Sequence, residues 1–576
     1  MDQKRLPHMN AESLLAFAET AALDKTLEAS FAARRAALLA ERDNPELARK
    51  ALALAARLEP LDPTPRLALA RLHAESGDLV GARAEANTVL KETIDKAAQA
   101  RASFMLGEMA RVERDFAAAR SAYAFTLKIE DALLSTNRSD PTAARWYARA
   151  RGRLAELDAG AGEFLRARSG AEGALAMLRG AAAQTGETPV LAADIADAEM
   201  RLAALELDAN EATSARRRLN EAIGRYEALA ITEKSEPHWR AVLADAWALA
   251  AEADYVRGAP DKARDAMDKA LQARLRLAAN DPDEAWALAG TWRLRAALRA
   301  AVGDTQVAAE SLQQARALAE TLSTQNRGAE APGRFLLHTL LDQADHALRT
   351  GDLNQAREAA DTARVQAEAI ASQINAPAIW FGEAAACWDR LGEVARAAWL
   401  LPPMQDAFSR AVELRRMARD RDPSNGHAAR GVAAALLKFG EAALQAGAAE
   451  SARNAFHESA SLRLQLLEAA PHDMRLAHGL AASLERLGLA ALAAGDRNGA
   501  RAAWEEELAL ADRIFPDDDG IEGMRFRAIV EAHLAGIGGV AAEAHRQSSL
   551  QRFDVLARAG ALTEREAALR RKLWGG

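Results

Sequence analysis

Along the chain, small apolar residues return at fixed offsets, separated by polar turn signals, and no strand-like alternation organises them. Gly77, Gly162, Gly258, Gly303, Gly351, Gly447 and Gly495 are each followed five positions later by alanine, at Ala82, Ala167, Ala263, Ala308, Ala356, Ala452 and Ala500. The same register holds at Ala48, Ala119, Ala215 and Ala407, where another residue replaces the glycine. Glycine supplies the left-handed turn that ends one helix, and alanine lets the next pack closely against it. Prolines give a second ruler. Pro141, Pro189, Pro237, Pro282, Pro332, Pro377, Pro423, Pro471 and Pro516 recur at roughly 45 to 50 residues. Most sit in polar contexts such as SDPTAARW and NDPDEAW, where a fixed φ suits the first turn of a helix, so they mark the start of each unit. The two rulers together predict an all-α solenoid of about eleven stacked helical hairpins.

Finer matches carry a family resemblance. Leu106–Gly107, Phe439–Gly440 and Leu487–Gly488 precede the turn, with Ala70, Ala155, Ala203, Ala251, Ala296 and Ala344 at the equivalent small position. The second helix has Tyr123, Leu219, Met267, Leu312, Phe456 and Trp504 at a large site, then Ala174, Ala222, Ala270, Ala315 and Ala363 at a small one. This pattern resembles the tetratricopeptide repeat over roughly residues 30–540, which implies a right-handed superhelix of antiparallel helix pairs. Early units have the family's usual spacing of roughly 34 to 37 residues and later ones lengthen to about 48, as longer helices would require. Residues 405–515 look like the long-repeat arrays of bacterial signalling proteins. The expected organisation is an N-terminal cap over 1–29, repeats of usual length over 30–140, long repeats over 141–545, and a C-terminal hairpin or cap over 546–576.

The ends read differently. Gly560 closes one short amphipathic helix, and Thr563 with Glu566 forms a capping box that starts another. Residues 550–574 resemble the short C-terminal (SHOCT-type) hairpin associated with self-assembly, which would make a homo-oligomer. The second reading is a cap over the last repeat, since a solenoid must cover its apolar end. Residues 10–28 would cap the other end.

Composition narrows the function. The chain of 576 residues is 27% charged and 5% aromatic, and alanine swells its apolar half. Its 74 Lys and Arg against 82 Asp and Glu give a net charge of −8, so no overall positive field favours nucleic acid or an anionic membrane. Cys387 is the sole cysteine, which excludes an internal disulfide framework and fits a reducing cytoplasm. The start, MDQKRLPHMNAESLLAF, has no apolar run, and no later stretch is apolar enough to span a membrane.

Chemistry is hard to find. No P-loop, dinucleotide fingerprint or nucleophile elbow occurs, and Gly536–Gly539 reads as a loosened helix or turn. His338 with His346, and His472 with His478, lack a third ligand at metal spacing. Cys387 has no activating partner nearby and reads as a buried small side chain. Glu505–Glu507 and Asp517–Asp519 read as solvated charge. Trp146, Trp239, Trp286 and Trp380 follow ladder prolines and read as inter-repeat packing before an aromatic binding stripe. Arg216–Arg218 and the series Arg410, Arg415, Arg416, Arg419 and Arg421 have acidic neighbours and read as solvated helix faces. No enzyme, cofactor or metal is expected.

The resemblance implies that the first helix of each hairpin lines a groove for extended or helical peptides. Carried onto this sequence, the family's groove positions are Arg71, Arg101, Glu108, Arg111, Arg149 and Glu156, then Asp245, Glu252, Arg293, Asp345 and Arg349. The arginines suit an acidic partner through paired hydrogen bonds to carboxylates, and salt bridges among these same side chains are the other reading. The lysine–asparagine clamp of some relatives is not reproduced. The expected function is a non-enzymatic scaffold or adaptor binding a protein or peptide. The alternative is a ligand- or peptide-responsive module controlling a separately encoded signalling enzyme or transcription factor.

Overall fold

A computed structural model describes residues 9–22, 26–41, 44–113, 115–161, 163–232, 237–279, 281, 284–325, 330–423, 426–469, 473–515 and 520–574. Pro282, Pro471, Pro516, Gly162, His472 and Asp517–Asp519 lie outside them. Every regular element among the described residues is helical, and contacts divide the chain into two compact units, Met1–Asn280 and Asp281–Gly576.

The first unit holds α1 (Ala11–Ala21), α2 (Thr26–Ala40), α3 (Pro45–Leu58), α4 (Thr64–Glu75), α5 (Leu79–Glu92), α6 (Lys96–Val112) and α7 (Phe116–Thr136). It continues with α8 (Pro141–Gly160), α9 (Phe164–Thr185), α10 (Pro189–Asp208), α11 (Ala212–Thr232), α12 (Pro237–Val256) and α13 (Pro260–Ala278). The second unit holds α14 (Ala285–Ala301), α15 (Thr305–Gln325), α16 (Glu330–Thr350), α17 (Leu353–Ala371), α18 (Ala378–Ala397), α19 (Leu401–Arg421) and α20 (Gly426–Gln445). It ends with α21 (Ala449–Ala469), α22 (Met474–Ala493), α23 (Arg497–Ile514), α24 (Ile521–Ile537), α25 (Ala542–Arg558) and α26 (Glu564–Trp574). Within each unit consecutive helices pack pairwise, and even-numbered helices also touch the next even-numbered helix, as at α8–α10 and α16–α18. That is an all-helical repeat array.

Local chemistry sets the helix boundaries. Ladder prolines open α8, α10 and α12, and the Asp140 side chain accepts from the backbone amide of Thr142 at 2.8 Å. In the hairpin turns Gly77, Gly258, Gly303, Gly351, Gly447 and Gly495 all take positive φ, and Asn210 does so in the Ala215 unit, one of those without the glycine. Ten ladder alanines, from Ala48 to Ala500, are fully buried where the second helix of each hairpin meets its neighbours.

One rung of the expected ladder is misplaced. Between α18 and α19 the left-handed residue is Trp399, at φ +57°, and not a residue five before Ala407. The rung therefore falls on the fully buried Met404, three residues earlier. Phe408 then takes the large site and Ala411 the next small one, both fully buried, and Leu391–Gly392 becomes the missed Leu–Gly pair. The ring geometry supports this register. A Cβ on Gly392 would lie 2.7 Å from the Phe408 ring, as one on Gly440 would lie 2.5 Å from Phe456 and one on Gly107 2.5 Å from Tyr123. Ala407 concealed the shift, because it stands near the expected spacing while the true rung carries methionine instead of alanine.

At the C-terminus Gly560 turns at φ +66°, the Thr563 amide donates to Glu566 Oε2 at 2.8 Å, and the Glu566 amide donates to Thr563 Oγ1 at 3.3 Å. The capping box therefore forms. Phe553 and Leu556 of α25 are fully buried with Ala528 and Ala532 of α24, and Leu562, Leu569 and Leu573 pack against them. Arg565 of α26 pairs with Glu485 of α22, and Arg525 of α24 pairs with Glu566 at 2.8 Å. α24 ends where Gly538 and Gly539 take positive φ.

Candidate functional site

The even-numbered helices carry their charges in register with the repeat, so a side chain on one reaches its opposite on the next. Arg149 of α8 donates Nε and Nη2 to Asp194 Oδ1 of α10 at 3.0 and 2.8 Å. Glu156 accepts from Arg201 at 2.9 Å, and Glu108 of α6 accepts from Arg153 of α8 at 2.9 Å. Glu108 also takes Arg111 at 3.1 Å and the Tyr123 hydroxyl. Burial opposes its charge, but the bond from Tyr123 and the charges of Arg153 and Arg111 prevail and hold its carboxyl below the usual range. Arg71 spans Glu41 at 2.6 Å and Glu75 at 2.9 Å. Arg101 lies 6.0 Å over the Trp146 ring, Asp245 pairs with Arg274 at 2.5 Å, and Glu252 is exposed. In the first unit, then, most of the expected groove side chains are already paired with charged neighbours.

The remaining three, Arg293, Asp345 and Arg349, come together. With side chains of α14, α16 and α18 they line a cavity of about 960 Å³ within the second unit. Arg293 Nε pairs with Asp342 at 2.6 Å and Arg390 Nε with Asp345 at 2.5 Å. Arg396 of α18 gives Nη1 to Glu393 at 3.1 Å and stacks 4.9 Å over Phe408, while its Nε and Nη2 find no hydrogen-bond partner. Arg349 is exposed, donates Nε to the Asp345 carbonyl oxygen at 3.2 Å, and has no carboxylate partner among the described residues. Beneath it His346 is buried, and burial together with the Arg349 charge lowers its pKa, so the imidazole is neutral at pH 7. Leu294, 54% exposed, and Ala297 add an apolar wall. The cavity thus offers one cation without a carboxylate partner, Arg349, beside apolar surface.

Sequence reasoning found three of the six charged residues in this lining, Arg293, Asp345 and Arg349, and missed Asp342, Glu393 and Arg396. Glu393 follows Gly392 as Glu108 follows Gly107 and Asp345 follows Ala344, and Arg396 stands where Arg111 stands relative to Gly107. Both would have been read as groove positions had the α18–α19 rung been set at Met404. A second missed signal is the arginine after nine of the ladder alanines, seven of which, Arg49, Arg83, Arg120, Arg168, Arg216, Arg453 and Arg501, share one role. Each reaches the turn of the following hairpin. Arg120 meets Asp158 at 2.6 Å, Arg168 meets Glu211 at 2.7 Å and Arg216 meets Asp254 at 2.9 Å. These arginines stitch neighbouring repeats together.

The other candidates are structural. Trp146 packs edge-on against Phe104 at 5.4 Å, Trp286 against Phe335 at 4.9 Å, and Trp380 is 3% exposed in the core. Cys387 is fully buried, and burial pushes its thiol up to about 12. Arg216 and Arg218, and Arg410, Arg415, Arg416 and Arg419, have acidic partners, while Arg421 bonds backbone carbonyls. His338 joins Arg334 on Glu383. Among the described residues no helix is long and apolar enough to cross a membrane.

No protein-family model and no curated protein matches the chain. Solved structures that it resembles include yeast Tom70, at 14% identity over 88% of this chain and 99% of that one, with a TM-score of 0.40. The apo form of RapI matches at 13% identity over 71% and 98%, also at 0.40. A BtubC structure from P. vanneervenii matches at 18% identity over 44% and 91%, with a TM-score of 0.35. The repeat architecture stands on this chain's own helix order and ladders.

Proposed function

We propose that the chain is a tetratricopeptide-type interaction module, without enzymatic activity, that receives a partner polypeptide on the face shared by α14, α16 and α18. The observation that carries this reading is Arg349, a cation left over at the mouth of an apolar-walled cavity whose other charges are paired. An acidic segment would satisfy Arg349, since guanidinium and carboxylate match in charge and fork geometry. Arg71, Arg111 and Arg149 are weaker candidates, because each already has a carboxylate of its own. The C-terminal hairpin is spent on its own chain through Arg565 and the Phe553 cluster, which supports capping over self-assembly.

The test compares partners captured from native extract by the wild-type chain, Arg349→Glu and Arg410→Glu, the last removing an exposed pair with Glu413 elsewhere. A partner held by wild type and Arg410→Glu and lost by Arg349→Glu supports the site. Equal recovery by all three rejects it. The cavity is also of a size that takes a small molecule, which keeps the ligand-responsive reading in second place. Partner capture that changes only when a small-molecule extract is added would favour that second reading.

A further inference from the structure

The turn that misplaced the ladder has an unusual occupant. Where other described turns use glycine or asparagine for the left-handed position, the α18–α19 turn uses Trp399, 87% exposed at φ +57°. A bulky residue in that region is an outlier, and such outliers gather where the chain does something besides fold. The backbone around it is fixed, with the Trp399 amide donating to the Arg396 carbonyl oxygen at 3.1 Å and the Leu400 amide to that of Ala395 at 2.9 Å. Leu400 is 50% and Leu401 38% exposed, and Pro402 and Pro403, both exposed, stiffen the following turn. The indole makes no ring or cation contact among the described residues. It is therefore a large apolar surface presented by a rigid backbone, the kind of group that anchors interfaces. It also stands two residues beyond Ala397 and three beyond Arg396, both of which line the cavity.

We infer that Trp399 and Leu400 form an apolar anchor at the rim of the Arg349–Arg396 cavity, and that the partner segment carries a bulky apolar side chain beside its acidic residue. The inference rests on the binding reading above and narrows it. Arg349 takes the carboxylate, and the indole and Leu400 cover the neighbouring aromatic or branched side chain. An acidic segment without such a side chain leaves the knob exposed to water and binds more weakly.

Panning random linear peptides against the full chain and against Trp399→Gly, Trp399→Asn and Arg349→Glu tests this directly. Glycine and asparagine already occupy this turn position in other repeats, so both Trp399 variants keep the fold, as a thermal melt at or above wild type verifies. Wild type is expected to enrich peptides with Asp or Glu close to Trp, Phe or Leu. The Trp399 variants keep the acidic preference, lose the apolar one, and bind the wild-type peptides about tenfold more weakly. Arg349→Glu loses the acidic preference. Unchanged selection and affinity in Trp399→Gly overturns the anchor while leaving the cavity reading standing. Failure of the wild-type chain to enrich any peptide over the blank surface overturns both.

Discussion

Glu130 of α7 is 1% exposed, and its Oε1 has no hydrogen-bond partner. Burial raises its carboxyl from 4.5 to about 7, against the opposing charge of Arg101. Between those values the folded chain keeps a proton that the unfolded chain has lost, so this group's contribution to stability falls as pH rises from about 4.5 through about 7. Glu130→Gln removes that loss. Urea melts should show it more stable than wild type by roughly 2–3 kcal/mol at pH 8 and almost unchanged at pH 4. Trp399 is a second residue that costs stability, since a left-handed L-residue is unfavourable by about 1–2 kcal/mol. Trp399→Gly should raise stability by about 1 kcal/mol while weakening binding. A residue kept only for packing would lose stability on the same change.

At the scale of the element, the Leu–Gly pairs and the arginine stitches hold the repeats in register. Alanine normally improves a helix over glycine by about 0.5–1 kcal/mol, and Gly224→Ala in α11, with open space around its Cβ, should do so. Gly440→Ala in α20 should reverse the sign, because its Cβ would meet the Phe456 ring at 2.5 Å, and overpacking costs about 1–3 kcal/mol. Thermal melts of the two variants make a paired control. Arg216→Met leaves Asp254, 1% exposed, with only Arg257 at 3.2 Å, and should cost about 2–3 kcal/mol. Arg168→Met, whose partners Glu172 and Glu211 are both solvated, should change the melt little. The glycine and alanine rungs were legible because the turn and the close approach leave few residue types that fit. The α18–α19 rung was not, because Trp399 bears the left-handed conformation at a strain no propensity anticipates. The arginine stitches were present as Ala–Arg pairs, but their meaning depends on where the next turn lies in space.

At the scale of the molecule, the repeat order and helix starts could be read from spacing, while the proposed site could not. The family's groove positions name side chains on α4, α6, α8, α12, α14 and α16 alike, yet Arg149 and Glu108 spend their charge on the next repeat, and Arg349 does not. Which cation is left over depends on pairings some 40 to 50 residues apart, and a one-dimensional pattern does not contain them. The proposed binding face therefore occupies one stretch of the array, and much of the remaining polar ladder holds the repeats together. The most direct test is a photo-crosslinking residue placed at Leu294, in the cavity wall, and separately at Val365 on α17, each 54% exposed. In the native cell Leu294 should give one discrete crosslinked partner that disappears when Arg349→Glu is added, and Val365 should give none. A partner crosslinked from Val365 and not from Leu294, or one that persists with Arg349→Glu, would contradict the assignment of this face.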